Sequence, residues 1–295
     1  MLWRIDDWDN AYANAPNIPD GDSWPERWVA PAEDYRSRAL AAGRAKLELS
    51  YGPADRNRFD LFLPEGDPKG LVVFIHGGFW MRLDKSYWSH LAGGANARGW
   101  AVAMPSYTLA PDIRIAGITR EIGTAITIAA EQVAGPIILT GHSAGGHLAT
   151  RMISATSPLP TAIGDRVCHT LSISGVHDLR PLMRTGLNKA LHIDAEEARA
   201  ESPVLLDPME NARLTCWVGA GERSEFIRLN ALLANIWKGC GAATAAVEEP
   251  DRHHFDVVNG LADADSAIVA SLLNTGLLNT GLLNTGTASG EEKTR

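Results

Sequence analysis

Gly141-His142-Ser143-Ala144-Gly145 joins an apolar run, residues 137–140, to a helix expected to begin at Ala144. A serine held between glycines on such a strand-to-helix turn needs a backbone free to bend sharply without a Cβ clash. The helix start turns its dipole and its free N–H groups toward whatever lies over the serine. Residues 70–75 form a second continuous apolar run, the pattern of a strand buried on both faces. Helix and strand patterns then alternate: helix 85–98, strand 100–104, helix 115–133, strand 137–140, helix 144–154, strand 170–174, strand 214–218, helix 225–237, strand 243–247 and helix 263–273. This alternation predicts an α/β chain with a mostly parallel sheet covered by helices on both faces. Residues 45–50 and 57–62 flank Tyr51-Gly52-Pro53-Ala54 and read as a hairpin before it.

The 295 residues suffice for one large α/β domain, expected over 45–275. Residues 1–44 hold Trp3, Trp8, Trp24 and Trp28 among prolines and acids and read as an arm laid across the domain, with a short helix at 32–42. Residues 176–211 break the alternation and suggest a small helical lid over the sheet. Three copies of Leu-Leu-Asn-Thr-Gly begin at Leu272, and 276–295 reads as a mobile repeat tail.

Composition narrows the function. With 45% hydrophobic and 21% charged residues a packed core is expected, and a formal net charge of −8 argues against a nucleic-acid partner. No apolar run has the length of a membrane span, and the acidic start lacks the apolar core of a secretory signal. Cys168, Cys216 and Cys240 are scattered, which suggests a reducing, cytoplasmic setting without a disulfide framework. No metal is expected, since neither a CxxC pair nor HExxH is present.

A serine nucleophile needs a base, and the base an orienting acid. Hydrolases built on this kind of turn place serine, acid and histidine in that chain order. His253 and His254 alone lie beyond every acid near a strand end, and His254 is preferred. Glu222 is the first carboxylate after strand 214–218; Glu225 and Asp178 remain alternatives. His142 and His147 precede the acid and read as supporting residues. His76-Gly77-Gly78-Phe79-Trp80 follows strand 70–75, where a glycine pair allows backbone to approach an oxyanion. Ala144 should supply one N–H donor, Gly78 and Phe79 the others, with Gly77 a further option; His76 should brace the loop. Trp80 and Tyr107, at strand ends on the same side, are candidate substrate-binding residues.

His-Gly-Gly-Phe-Trp, Gly-His-Ser-Ala-Gly-Gly-His-Leu-Ala, Val-Gly-Ala-Gly-Glu-Arg-Ser-Glu-Phe and His-His-Phe-Asp-Val together resemble the kynurenine formamidase (arylformamidase) branch of the α/β-hydrolases, relatives of the hormone-sensitive-lipase-like esterases. The resemblance runs from about residue 51 to 261. It implies the triad Ser143, Glu222 and His254, although the family's acid is usually aspartate. The esterase relatives carry a third glycine where Phe79 stands, so Phe79 and Trp80 should narrow the acyl side. The H-x-G-T-H-x-D motif of the metal-dependent formamidases is absent. The chain is thus expected to be a cofactor-free serine hydrolase. It should cleave a small formyl or acetyl amide or ester through an acyl-enzyme, with N-formylkynurenine the leading candidate. A general short-chain carboxylesterase is the alternative, and a ligand-binding homologue without turnover a lesser one. A homodimer is compatible with this reading.

Overall fold

Eight strands carry the chain in the computed structural model, which describes residues 4–274. They are β1 (Ala45–Ser50), β2 (Arg58–Phe62), β3 (Leu71–Ile75), β4 (Ala101–Pro105), β5 (Ile137–His142), β6 (Val167–Ile173), β7 (Arg213–Gly219) and β8 (Ala243–Glu249). The sheet order is β1-β2-β4-β3-β5-β6-β7-β8. The first two pairings, β1 with β2 and β2 with β4, are antiparallel, and all others are parallel. The hairpin and the mostly parallel sheet are those the sequence predicts.

The period-two geometry of a strand explains the continuous apolar runs. Leu71, Val73 and Ile75 of β3 belong to the core on one face of the sheet, while Val72 and Phe74 belong to the core on the other. The same split recurs in β4, with Ala101 and Ala103 against Val102 and Met104.

The helices are α1 (Trp8–Tyr12), α2 (Trp24–Ala41), α3 (Gly93–Ala97), α4 (Ile115–Gln132), α5 (Ala144–Arg151), α6 (Thr161–Gly164), α7 (Asn188–Leu191), α8 (Ala195–Ala200), α9 (Ser224–Gly239) and α10 (Ala267–Leu272). Among the described residues none is long and apolar enough to cross a membrane. Two sequence expectations need correction. The helix expected at 85–98 is two 3₁₀ turns, Lys85–Tyr87 and Ser89–Ala92, followed by α3. Asp84 caps the first of them by accepting the Ser86 N–H at 2.7 Å. The arm's helix is longer than 32–42, because Pro25 sits in its first turn, where proline is tolerated. Pro31 lies inside it, and the burial of Trp28, Ala32 and Ala39 along one side holds the helix through that break. Between β6 and β7 the chain forms short helical pieces only, α7 and α8 among them. The repeat tail expected at 276–295 lies outside the described residues.

Phe74 is buried on the arm side of β3, its ring centroid 6.0 Å from that of Trp88. Phe74→Ala is expected to cost about 3–5 kcal/mol through lost burial and an unfilled cavity. A urea melt should show the midpoint fall with an unchanged slope.

Candidate active site

In the order β4-β3-β5 the chain runs outward from β3 in one direction and then in the other. Such a reversal opens a crevice beyond the carboxyl ends of the strands. Ser143 stands there, at the end of β5 and the start of α5, with φ 56° and ψ −116°. A non-glycine residue in such a conformation costs on the order of 1–3 kcal/mol and persists where the surroundings impose it. Its N–H donates to Ile173 O at 2.8 Å, which ties the turn to β6. Gly145 explains how the helix comes so near: a Cβ there would lie 1.9 Å from Ile75 O on β3.

His254, which lines the same cavity as Ser143, meets Glu222 behind it. His254 Nδ1 donates to Glu222 Oε2 at 2.6 Å, with the carboxylate fully buried. A carboxylate only accepts, so the contact places the proton on Nδ1 and leaves the Nε2 lone pair free in the neutral ring. The other oxygen, Glu222 Oε1, accepts the Ser174 hydroxyl at 2.5 Å and the Gly219 N–H at 2.9 Å. The histidine's own carbonyl accepts the His142 Nε2–H at 2.8 Å, and its ring lies 4.4 Å from Phe226. The competing candidates are engaged elsewhere. Asp178 holds Arg180 through both oxygens, at 2.9 and 2.8 Å. Glu225 holds Arg228 at 2.7 Å, and His253 turns toward the arm, 5.0 Å from Trp24.

The loop after β3 faces the serine. Gly78 has φ 113° and Phe79 φ 50°, and both line the cavity over Ser143. Among the described residues no acceptor is found for the backbone N–H of Gly78 or Phe79. The first-turn N–H of Ala144 likewise has no intrahelical acceptor. Gly77 packs under them, where a Cβ would lie 2.8 Å from His142 O. His76 braces the loop: its Nδ1–H donates to Gly77 O at 2.7 Å, and its ring stacks on Tyr107 at 4.3 Å.

The cavity has a volume of about 580 Å³, within the range of small-molecule sites. Trp80 and Tyr107, expected on its wall, are fully buried in the core instead. Trp80 runs edge-on to His147 at 5.2 Å, and the Tyr107 hydroxyl donates to His76 O at 3.0 Å. Both lie in the core beneath the cavity rather than on its wall. The aromatic wall comes from residues the sequence did not single out for it: Tyr12 and Trp28 of the arm, Trp88 and Phe255. The tryptophans of the arm were the available signal. Gly186 and Leu187, in the segment between β6 and β7, close another side.

Residues 72–258 match the family described as the α/β-hydrolase fold, and the chain belongs to it. It is an enzyme, a hydrolase. The kynurenine formamidase of Danio rerio is 25% identical over 256 residues, covering 83% of this chain and 86% of the relative. That of Drosophila melanogaster is 24% identical, covering 92% of this chain and 97% of the relative. A crystal structure of a Silicibacter sp. TM1040 protein, assigned as a thioesterase, shares 49% identity and a TM-score of 0.85, covering 90% of this chain and 98% of that one.

Two expectations follow from this geometry. Glu222→Gln should lower kcat by roughly 10³–10⁴-fold, since the imidazole loses both its partner charge and its fixed tautomer. Asp178→Asn should keep most of its turnover; the reverse pattern in steady-state kinetics would exchange the two assignments. The second concerns acid. Burial lowers the pKa of His76 and of His147 to about 4, below the unfolded value near 6.5. The unfolded chain then binds more protons between these values, so stability falls as pH drops from about 6.5 toward 4. Urea midpoints measured across that window should decrease steadily.

Proposed function

We propose that Ser143, His254 and Glu222 are nucleophile, base and orienting acid of a hydrolase that removes a small acyl group from an aromatic amine, with N-formylkynurenine the leading substrate. The observation that carries it is that His254, bonded to the buried Glu222, lines the same cavity as the strained Ser143. Ser143 Oγ attacks the formyl carbon while His254 Nε2 takes its proton. The N–H groups of Gly78, Phe79 and Ala144, with Gly77 supporting the loop, receive the oxyanion. On collapse the C–N bond breaks, His254 returns the proton to the departing aryl amine, and the formyl ester of Ser143 remains. Water, deprotonated by His254, then attacks that ester, and formate leaves as Ser143 regains its proton.

Phe79 on the cavity wall supports a narrow acyl side. The rings of Trp28 and Trp88, with centroids 4.4 Å apart, support an aromatic leaving group. The similarity to the fish and fly formamidases points the same way. A cytoplasmic setting fits the three free thiols. A short-chain ester or thioester hydrolase is the second reading, favoured by the Silicibacter relative.

The test compares kcat/KM for N-formylkynurenine, p-nitrophenyl acetate, p-nitrophenyl butyrate and S-acetyl-N-acetylcysteamine. N-formylkynurenine should lead by at least about tenfold, and acetate should exceed butyrate, since one methylene in a tight pocket is worth about 1–3 kcal/mol. Ser143→Ala should abolish turnover and labelling by an organophosphonate. Esters or the thioester ahead by orders of magnitude, with the formamide barely touched, would sink the formamidase reading and leave the second one standing.

A further inference from the structure

Most charged side chains near the cavity already have partners. Arg180 and Arg228 hold Asp178 and Glu225, and Arg223 donates to Asn10 O at 3.1 Å. Asp9 accepts the Gly186 N–H at 2.6 Å. Two wall residues differ. Arg82 and Asp22 are exposed and line the cavity. Among the described residues neither side chain enters a hydrogen bond, ion pair or ring contact, with the other or with any third group.

Their backbones are nonetheless fixed. The Arg82 N–H donates to Gly78 O at 3.0 Å, so this cation is carried by the turn that closes the oxyanion loop. Asp22 lies in the 3₁₀ turn Gly21–Ser23, which packs so tightly on the preceding turn that a Cβ on Gly21 would fall 2.1 Å from Ala15 O. The rings of Trp28 and Trp88 line the same cavity. One cavity therefore offers a cation, an anion and an aromatic surface, and the two charges leave each other unpaired.

We propose that the leaving group is recognised as a dipolar aromatic amino acid, its α-carboxylate held by Arg82 and its ammonium by Asp22; this rests on reading the cavity as the acyl-transfer site. Arg82 and Asp22 are then specificity residues. A guanidinium meets a carboxylate through paired N–H donors, and a carboxylate accepts from an ammonium. A ligand bearing both charges satisfies both residues and brings no net charge into the cavity.

Three unreactive aryl amines separate the contributions. L-kynurenine carries both charges, 4-(2-aminophenyl)-4-oxobutanoate the carboxylate alone, and 2-aminoacetophenone neither. Kd for each is measured by titration calorimetry, which needs no turnover. The wild-type enzyme should bind them in that order, with at least about tenfold between the first and the last. Arg82→Gln should remove the advantage of both carboxylates over 2-aminoacetophenone. Asp22→Asn should remove only the advantage of L-kynurenine over the oxobutanoate. Similar Kd values for all three in the wild-type enzyme, or an order that survives both substitutions, would overturn the proposal. The hydrolysis rate of N-formylkynurenine is read separately, so a failed formamidase reading and a failed recognition of the dipolar head give different results.

Discussion

The catalytic end of the sheet depends on how closely α5 approaches β3. With Ile75 O at 1.9 Å from where a Cβ on Gly145 would stand, no side chain fits between helix and strand. The chain between β5 and α5 is then left with a conformation that serine adopts only under constraint. Neighbouring segments show the same tension. Phe79, Trp80 and Ser174 all have positive φ, at 50°, 59° and 52°, and all follow strand ends on this side. Each is held by a backbone bond to another part of the fold or lies beside a residue that is. Ser174 N–H donates to Trp217 O at 2.7 Å, and Ala110 N–H to Trp80 O at 2.9 Å. The parallel sheet thus supports a rim of unfavourable backbone at the cavity that Gly78, Phe79 and Ser143 line.

Around this point the buried histidines work as neutral struts. Burial holds His76, His142, His147 and His177 below the usual imidazole range. A neutral ring has one donor and one acceptor, and three of these rings give the donor to a backbone carbonyl. His76 holds Gly77 O, His142 holds His254 O, and His147 holds Glu201 O at 2.6 Å. The residue just before Ser143 thereby fixes the carbonyl of the residue proposed as its base. The turn and the loop carrying His254 cannot shift independently.

Much of this was legible because it follows from local chemistry. Strands β3 and β5 read as apolar runs since they are buried on both faces. The Ser143 turn declared itself through glycines that a close helix–strand approach requires. Chain order and position after β7 offered Glu222 with Glu225 and Asp178 as alternatives, and of these it is Glu222 that bonds His254. What escaped was depth. Trp80 and Tyr107 stand at strand ends, as substrate-binding residues do, but whether a ring lies over or under a loop depends on the path of the loop. Residues 85–98 carried a helical pattern that the structure divides between two 3₁₀ turns and α3; the close contact of α3, where a Cβ on Gly94 would lie 2.5 Å from Leu261 O, is a tertiary feature the pattern does not show. The extent of α2 was hidden by prolines whose position in the helix, not their presence, decides their effect.

Ser143, Glu222, His254 and the proposed oxyanion loop all fall within residues 72–258, the part that matches the family. One wall of the cavity comes from outside it, from Tyr12, Asn14, Asp22 and Trp28 of the arm. The proposed chemistry and one wall of the cavity thus come from different parts of the chain. Trp24 packs edge-on to His253 at 5.0 Å and Trp28 to Phe255 at 5.7 Å, the two neighbours of His254 in sequence. The arm that lines the pocket also packs on the loop that carries His254, the proposed base. A change in the arm's tryptophans therefore reaches the loop that holds His254, so in the proposed mechanism the arm bears on the base as well as on the pocket wall.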